Sequence, residues 1–399
     1  LTALLVLAAV APASMAASSQ QQAYAGSNVS FDTTNAAVVD YAVDDETMME
    51  SVRVESRDEV EGGLDVGIGA DISAVTGFAG ASLSTSARSE TSATVSAGSG
   101  AKMHAHDSEH GILVVDSGSD GQYVGVNLSS STEAESESEN RVAVTTDNGT
   151  QGTFIVVGNG TVTVNGDDNV TARLEDDSRL VFRAYGEERT EDERRQEELI
   201  ANGTAAAEVY VHESSEESGE FVAGVANYSG DTAVEVTQKS EGTVEMTAER
   251  AESEGRIVVT SVSEAVIDST EDLSVAVDGE AAVEASSYSE LETAASDGDA
   301  SKFLVRQQSS ARAAADVLVA VSHFSERTVT VSDDGSTDAP GDPTDTADGS
   351  NDGDGDESSP SDENDDSDES TTTPGAPGLG IGAAVIALLA GTLLAIRER

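Results

Sequence analysis

"RVAVTTDNGTQGTFIVVGNGTVTVNGDD", residues 141–168, decides how this chain is read. Val142 and Val144 alternate with polar neighbours, an apolar run follows from Phe154 to Val157, and Val162 and Val164 alternate again. Between these lie Asp147-Asn148-Gly149, Gly158-Asn159-Gly160 and Asn165-Gly166-Asp167. Strand side chains point to opposite faces in turn, and Asn, Asp and Gly supply the backbone angles of tight turns. The stretch therefore predicts short strands joined by hairpins. The same texture runs from Asn28 to about Val331, for example in "GRIVVTSVSEAVID" from Gly255. It predicts a mainly β protein of tandem sandwich-like or barrel-like repeats, not an α/β fold.

Only two segments predict helix. Thr190 with Glu193 three residues on forms a capping box, opening a helix over 191–201 that Asn202-Gly203 closes. Ser287 and Glu290 repeat that relation ahead of "YSELETAAS", giving a helix over 288–295. Aligned on these helices, Val142 and Val144 fall on Val244 and Met246, and Ile155 to Val157 on Ile257 to Val259. "AEVYV" then matches "SKFLV", and "VANYSGDTAVEV" matches "VSHFSERTVTV". The reading is two copies of one strand-rich unit, at 140–238 and 243–331. An N-terminal β region at 27–139 carries a partial third copy in "YAVDDETMMESVRVE". Within it, "LDVGIGADISA" puts Leu64, Val66, Ile68, Ala70 and Ile72 on one face, as a half-buried strand or a membrane-inserting hairpin would.

Composition sets the surroundings. The 399 residues carry 76 acids against 20 Lys and Arg, for a net charge of −56, and Lys102, Lys239 and Lys302 are the lysines. Such self-repulsion opens a compact fold in dilute buffer, whereas in molar salt the Debye length falls to about 3 Å and screens it. A lysine-poor acidic chain with strand-length apolar runs thus reads as salt-adapted, intrinsic disorder being the competing reading. Nucleic acid is excluded as a partner by like charge. With no Cys, disulfides and thiolate chemistry are excluded as well, and there is no Trp.

The two ends carry export and anchoring signals. Residues 1–17 hold an apolar run, Leu4 to Val10, then small residues around Ala13, Ser14 and Ala16, the pattern of a secretory signal peptide. Residues 333–373 contain 16 acids and no Lys or Arg, which predicts a disordered acidic stalk. At 374–399, "PGAPGLGIGAAVIALLAGTLLAIRER" places uncharged residues from Leu379 to Ile396 ahead of Arg397 and Arg399. As a helix this run is about 27 Å long, enough to cross a bilayer core, and the basic end leaves the body outside.

Candidate sites are few. Asn-x-Ser/Thr sequons stand at Asn28, Asn127, Asn148, Asn159, Asn169, Asn202 and Asn227, and export would make them glycosylation acceptors. "KMHAHDSEH" gathers His104, His106 and His110 beside Asp107 and Glu109. On a strand His104 and His106 share a face, and a turn returning His110 would complete a zinc-like site; a solvated strand end is the alternative. "DGDGDE" from Asp352 begins like a calcium loop but lacks the following Gly. No nucleophile elbow, P-loop or H-E-x-x-H motif occurs, and His212 and His323 are isolated, so neither an enzyme nor a cofactor is expected.

The tail resembles the PGF-CTERM sorting signal of archaeal surface proteins, with Pro377, Gly378 and Leu379 on the motif and Leu in place of its Phe. The resemblance covers the last 26 residues or so. It implies recognition by an archaeosortase, which removes the helix and transfers the protein to a membrane lipid. It also implies a haloarchaeal surface glycoprotein, with S-layer or other surface proteins as neighbours. The reading that results is an exported, membrane-anchored structural, adhesive or binding protein. A divalent-metal-binding surface protein using His104, His106 and His110 is the first alternative, and an extracellular hydrolase the second.

Overall fold

The computed structural model describes residues 21–63, 72–213, 220–250, 254–263, 265–267, 273–298, 300–307, 313–322 and 326–333. The signal peptide, acidic stalk and C-terminal helix expected from the sequence lie outside the described residues, as does most of "LDVGIGADISA". Among the described residues the chain is mainly β: four sheets and three short helices, α1 (Arg57–Gly63), α2 (Glu191–Ala201) and α3 (Tyr288–Asp297). No helix there is long and apolar enough to cross a membrane.

Sheet I runs, in spatial order, Gln21–Ala25, Val29–Thr33, Val38–Val43, Glu46–Ser56, Gln122–Leu128, Val170–Leu174 and Gly160–Val164. Sheet II runs Thr132–Ser138, Arg141–Thr146, Gln151–Val157, Arg179–Tyr185, Leu113–Asp116, Lys102–His106, Ser92–Ala97 and Leu83–Arg88. Sheet III runs Phe221–Asn227, Ala205–Glu213, Arg256–Ser263, Ala313–Val321, Lys302–Gln307 and Val283–Glu284. Sheet IV runs Thr232–Ser240, Thr243–Arg250, Glu326–Ser332, Ser274–Val277 and Glu280–Ala281.

Three apolar cores stack these sheets. Phe154, Val156, Leu180 and Phe182 of sheet II meet Tyr41, Val52, Val124 and Leu174 of sheet I. The opposite face of sheet II, with Val114, Ile155 and Val181, meets Ala205, Ile257, Val259 and Leu318 of sheet III. Sheet III then turns Val209, Val258, Val317 and Val319 toward Val244, Met246, Val275 and Val331 of sheet IV. Sheets II and III are thus covered on both faces. This explains the continuous apolar runs in Gln151–Val157, Arg179–Tyr185 and Arg256–Ser263, whose residues are buried without alternation. Arg141–Thr146, toward the edge of sheet II, keeps the half-buried alternation seen in its sequence.

The helices close the space between sheets II and III. Leu199 and Ile200 of α2 and Leu291, Ala294 and Ala295 of α3 belong to the core there. Each large apolar side chain so buried contributes about 1.5–3 kcal/mol. The capping box of α2 forms as the sequence requires: Thr190 Oγ1 accepts from the Glu193 amide and the Glu193 carboxylate accepts from the Thr190 amide. Asn202 caps the other end and Gly203 follows at φ +70°. In α3 the Ser287 hydroxyl accepts from the Glu290 amide, but the Glu290 carboxylate takes the Ser286 amide and hydroxyl instead.

The strands of 140–238 and 243–331 are shared among sheets. Ala205–Glu213 lies parallel to Arg256–Ser263 in sheet III, and Thr232–Ser240 forms a hairpin with Thr243–Arg250 in sheet IV. Both segments keep the local order strand, helix, strand. Their hydrogen bonding differs: Gln151–Val157 pairs with Arg179–Tyr185, whereas Arg256–Ser263 pairs with Ala205–Glu213 and Ala313–Val321.

Candidate functional site

The densest set of ionisable groups sits between sheets II and III. Arg183 occupies the sheet III-facing side of Arg179–Tyr185, and Glu208 faces it from Ala205–Glu213; both are completely buried. Arg183 Nη2 lies 3.1 Å from Glu208 Oε2. The loop after Lys102–His106 brings His110 Nδ1 to 2.8 Å from Glu208 Oε1 and 3.0 Å from Arg183 Nη2. Tyr228 donates to Glu208 Oε2 at 2.6 Å. Burial alone would raise the Glu208 pKa, but Arg183, then His110 and the hydrogen bonds from His110 and Tyr228, hold it well below the usual carboxylate range. Burial disfavours the Arg183 charge, yet Glu208 overrides it and keeps the guanidinium protonated.

Helix α2 and strands Arg256–Ser263 and Ala313–Val321 of sheet III complete the network. Gln196 of α2 accepts from Arg183 and donates to Asp316 Oδ2 at 2.8 Å, and Ser261 donates to Asp316 Oδ1 at 2.6 Å. Alongside, Glu197 accepts from Thr153 at 2.8 Å and from Arg189 at 3.0 and 3.1 Å, and Arg189 reaches Glu137 at 2.5 Å. Charges so enclosed survive only when paired, and their pairing fixes one packing register between sheets, although Arg183 Nε and Arg189 Nε are buried without a hydrogen-bond partner.

Of the predicted histidines, His104 and His106 do share a face of Lys102–His106, opposite Met103 and Ala105. His104 Nδ1 meets the Thr94 hydroxyl at 3.1 Å, and His106 Nδ1 meets the Tyr210 hydroxyl at 3.3 Å. Burial pushes His106 down to about 3, helped by neighbouring His104, and lowers His104 too. His110 turns away to Glu208 and Arg183, so the three are not brought together. Among the described residues no group of three or more His, Cys, Asp or Glu side chains is placed to hold a metal ion. Asp107 instead binds backbone. Its carboxylate accepts from the amides of Ser27, Asn28 and Val29 at 2.7, 2.8 and 2.7 Å, tying the first hairpin to sheet II. His212 stacks on Tyr210, and His323 lies outside the described residues.

The sequons fall into three groups. Asn148, Asn159, Asn202 and Asn227 are exposed, and Asn127 and Asn169 are half-buried. Asn169 Oδ1 accepts from the Leu128 amide, which ties its side chain into the fold. Asn28 is buried, its Nδ2 on the Asp107 carbonyl, so a glycan there would disrupt the Asp107 cradle. The sorting residues Pro377, Gly378 and Leu379 lie outside the described residues.

A cleft of about 450 Å³ opens beside the network, where sheet II faces the turn between Phe221–Asn227 and Thr232–Ser240. Asp116 and Arg179, paired at 2.6 Å, and His104 line one wall; Asn227, Gly230 and Thr232 line the other. A Cβ at Gly230 would stand 3.2 Å from Arg179 Nη2, so glycine lets the turn approach this pair.

No protein-family model and no curated protein sequence matches the chain. Among solved structures it is similar to a point mutant of a glycoside hydrolase family 81 protein from Clostridium thermocellum, with TM-score 0.35 and 7% identity. That likeness covers 76% of this chain but only 34% of the other.

Proposed function

We propose that this is an exported, salt-adapted cell-surface protein of a halophilic archaeon, glycosylated and anchored through its C-terminal sorting signal. The β body serves as a structural or adhesive element displayed on the acidic stalk. The observation that supports this reading is how the body distributes its charge. Most of its scarce cations are engaged in ion pairs, internally at Arg183 and Arg189 and nearer the surface at Arg179, Arg195 and Arg306. Acids such as Glu133 and Glu135 are left to face solvent. A fold whose richest polar network is sealed between layers suits mechanical persistence in brine more than turnover of a substrate. Brief protease treatment of intact cells in their growth salt tests this. Loss of the body from the cells with cytoplasmic markers spared is expected, and full protection of the body would refute surface display.

A further inference from the structure

The cleft between sheet II and the 227–232 turn holds a sequon in its own wall. Asn227 ends its strand exposed, yet it lines the 450 Å³ space, within the roughly 300–1,000 Å³ range of small-molecule sites. The opposite wall offers paired acceptor and donor, Asp116 with Arg179, and the imidazole of His104. Sugar hydroxyls both donate and accept, so an ion pair beside an imidazole matches a pyranose without needing a charged ligand. The exposed Asn148 stands differently, its Nδ2 on Glu46 Oε1 at 3.2 Å in a surface turn.

We infer that the glycan on Asn227 folds back into this cleft, its first sugar seated against Asp116, Arg179 and His104, so that it bridges sheets II and III instead of extending into solvent. This rests on the proposal that the protein is exported and glycosylated. A seated sugar fills polar space that water would otherwise occupy and links the turn at Gly230 to sheet II. In effect it is a covalently delivered ligand, held at high local concentration by its own attachment.

Periodate footprinting of the folded full-length glycoprotein, purified from the cells that make it, tests the seat. Periodate cleaves vicinal diols, and glycopeptide mass spectrometry then reads oxidation at each sequon. The Asn227 glycan is expected to oxidise at least about fivefold more slowly than that on Asn148, the ratio a seating preference of about 1 kcal/mol gives. Ala233, exposed at the rim, provides the blocking variant: Ala233→Phe obstructs the cleft without entering the core and should abolish the protection. Equal oxidation at Asn227 and Asn148, or protection unchanged by Ala233→Phe, overturns the seat. A bare Asn227 with glycans at other sequons overturns it too, whereas bare asparagines throughout would fail the glycosylation reading itself.

Discussion

Removing Arg183 should cost more than removing any surface cation. Arg183→Met leaves Glu208 fully buried beside an apolar side chain, with His110, Tyr228 and, at 3.4 Å, Ser261 as its remaining partners. At the 3.1 Å separation of Arg183 and Glu208, an effective dielectric near 20 gives about 5 kcal/mol of attraction, and losing one partner of a buried pair costs about 3–5 kcal/mol. Because the orphaned charge carries most of that cost, adding Glu208→Gln to Arg183→Met should recover about half. The surface pair Arg195–Glu292, at 2.6 Å but about a third exposed on each side, is the control, and Arg195→Met should cost about 1 kcal/mol or less. The assay is urea unfolding at two high KCl concentrations, where the buried term should hardly change. A loss below about 1 kcal/mol for Arg183→Met, or a double variant less stable than the single, would refute the view that this network locks sheets II and III.

Acid should destabilise the body through the same region. His106 is neutral in the fold with a pKa near 3 against about 6.5 unfolded, so the unfolded chain takes up the proton first. Stability is complete above pH 6.5 and falls toward pH 3, by about 2 kcal/mol at pH 5 from this residue alone. Depressed His104 and His212 act in the same direction, and Glu208, held low, adds its loss only at more acid pH. His106→Gln should therefore flatten the stability profile between pH 6.5 and 5 by up to one proton, and an unchanged slope in urea titrations would contradict the assignment. At the first hairpin, Asp107→Asn should cost about 1.5–3 kcal/mol by weakening charge-assisted bonds to three amides. Gly26→Ala should cost at least as much, since its Cβ would fall 2.3 Å from the Asp107 carboxylate. Thermal unfolding of both variants checks this, and wild-type midpoints would sink it.

Much of the architecture is written locally. The capping box at Thr190 and the Asn202-Gly203 stop define α2, and alternation marks Arg141–Thr146 as a strand with one wet face. The stacking of four sheets is signalled more faintly, by apolar runs too continuous for a two-layer sandwich. Arg183, Glu208 and Asp316 stand as single charges inside such runs, "LVFRAY", "AAAEVYV" and "AAADVLVAV". A lone charge in a doubly covered strand must find a partner in the facing layer, a signal carried by only one residue per strand and fainter than the clustered histidines. Long-range partnership is what local pattern cannot supply. Asp107 binds amides about 80 residues earlier, and His110 turns to Glu208 98 residues later instead of back to His104. The parallel pairing of Ala205–Glu213 with Arg256–Ser263 likewise depends on contacts between strands that no hairpin joins.

The claim that the body is displayed from an anchored surface protein meets its most direct test at the C-terminus. Mass spectrometry of the mature protein taken from the cell envelope reads that end. Processing at the Pro377-Gly378-Leu379 motif predicts that peptides carrying Leu388 and Arg397 are absent and that the last peptide of the stalk bears a lipid mass. Recovery of an unmodified peptide spanning Leu388 and Arg397 as the dominant form would contradict it.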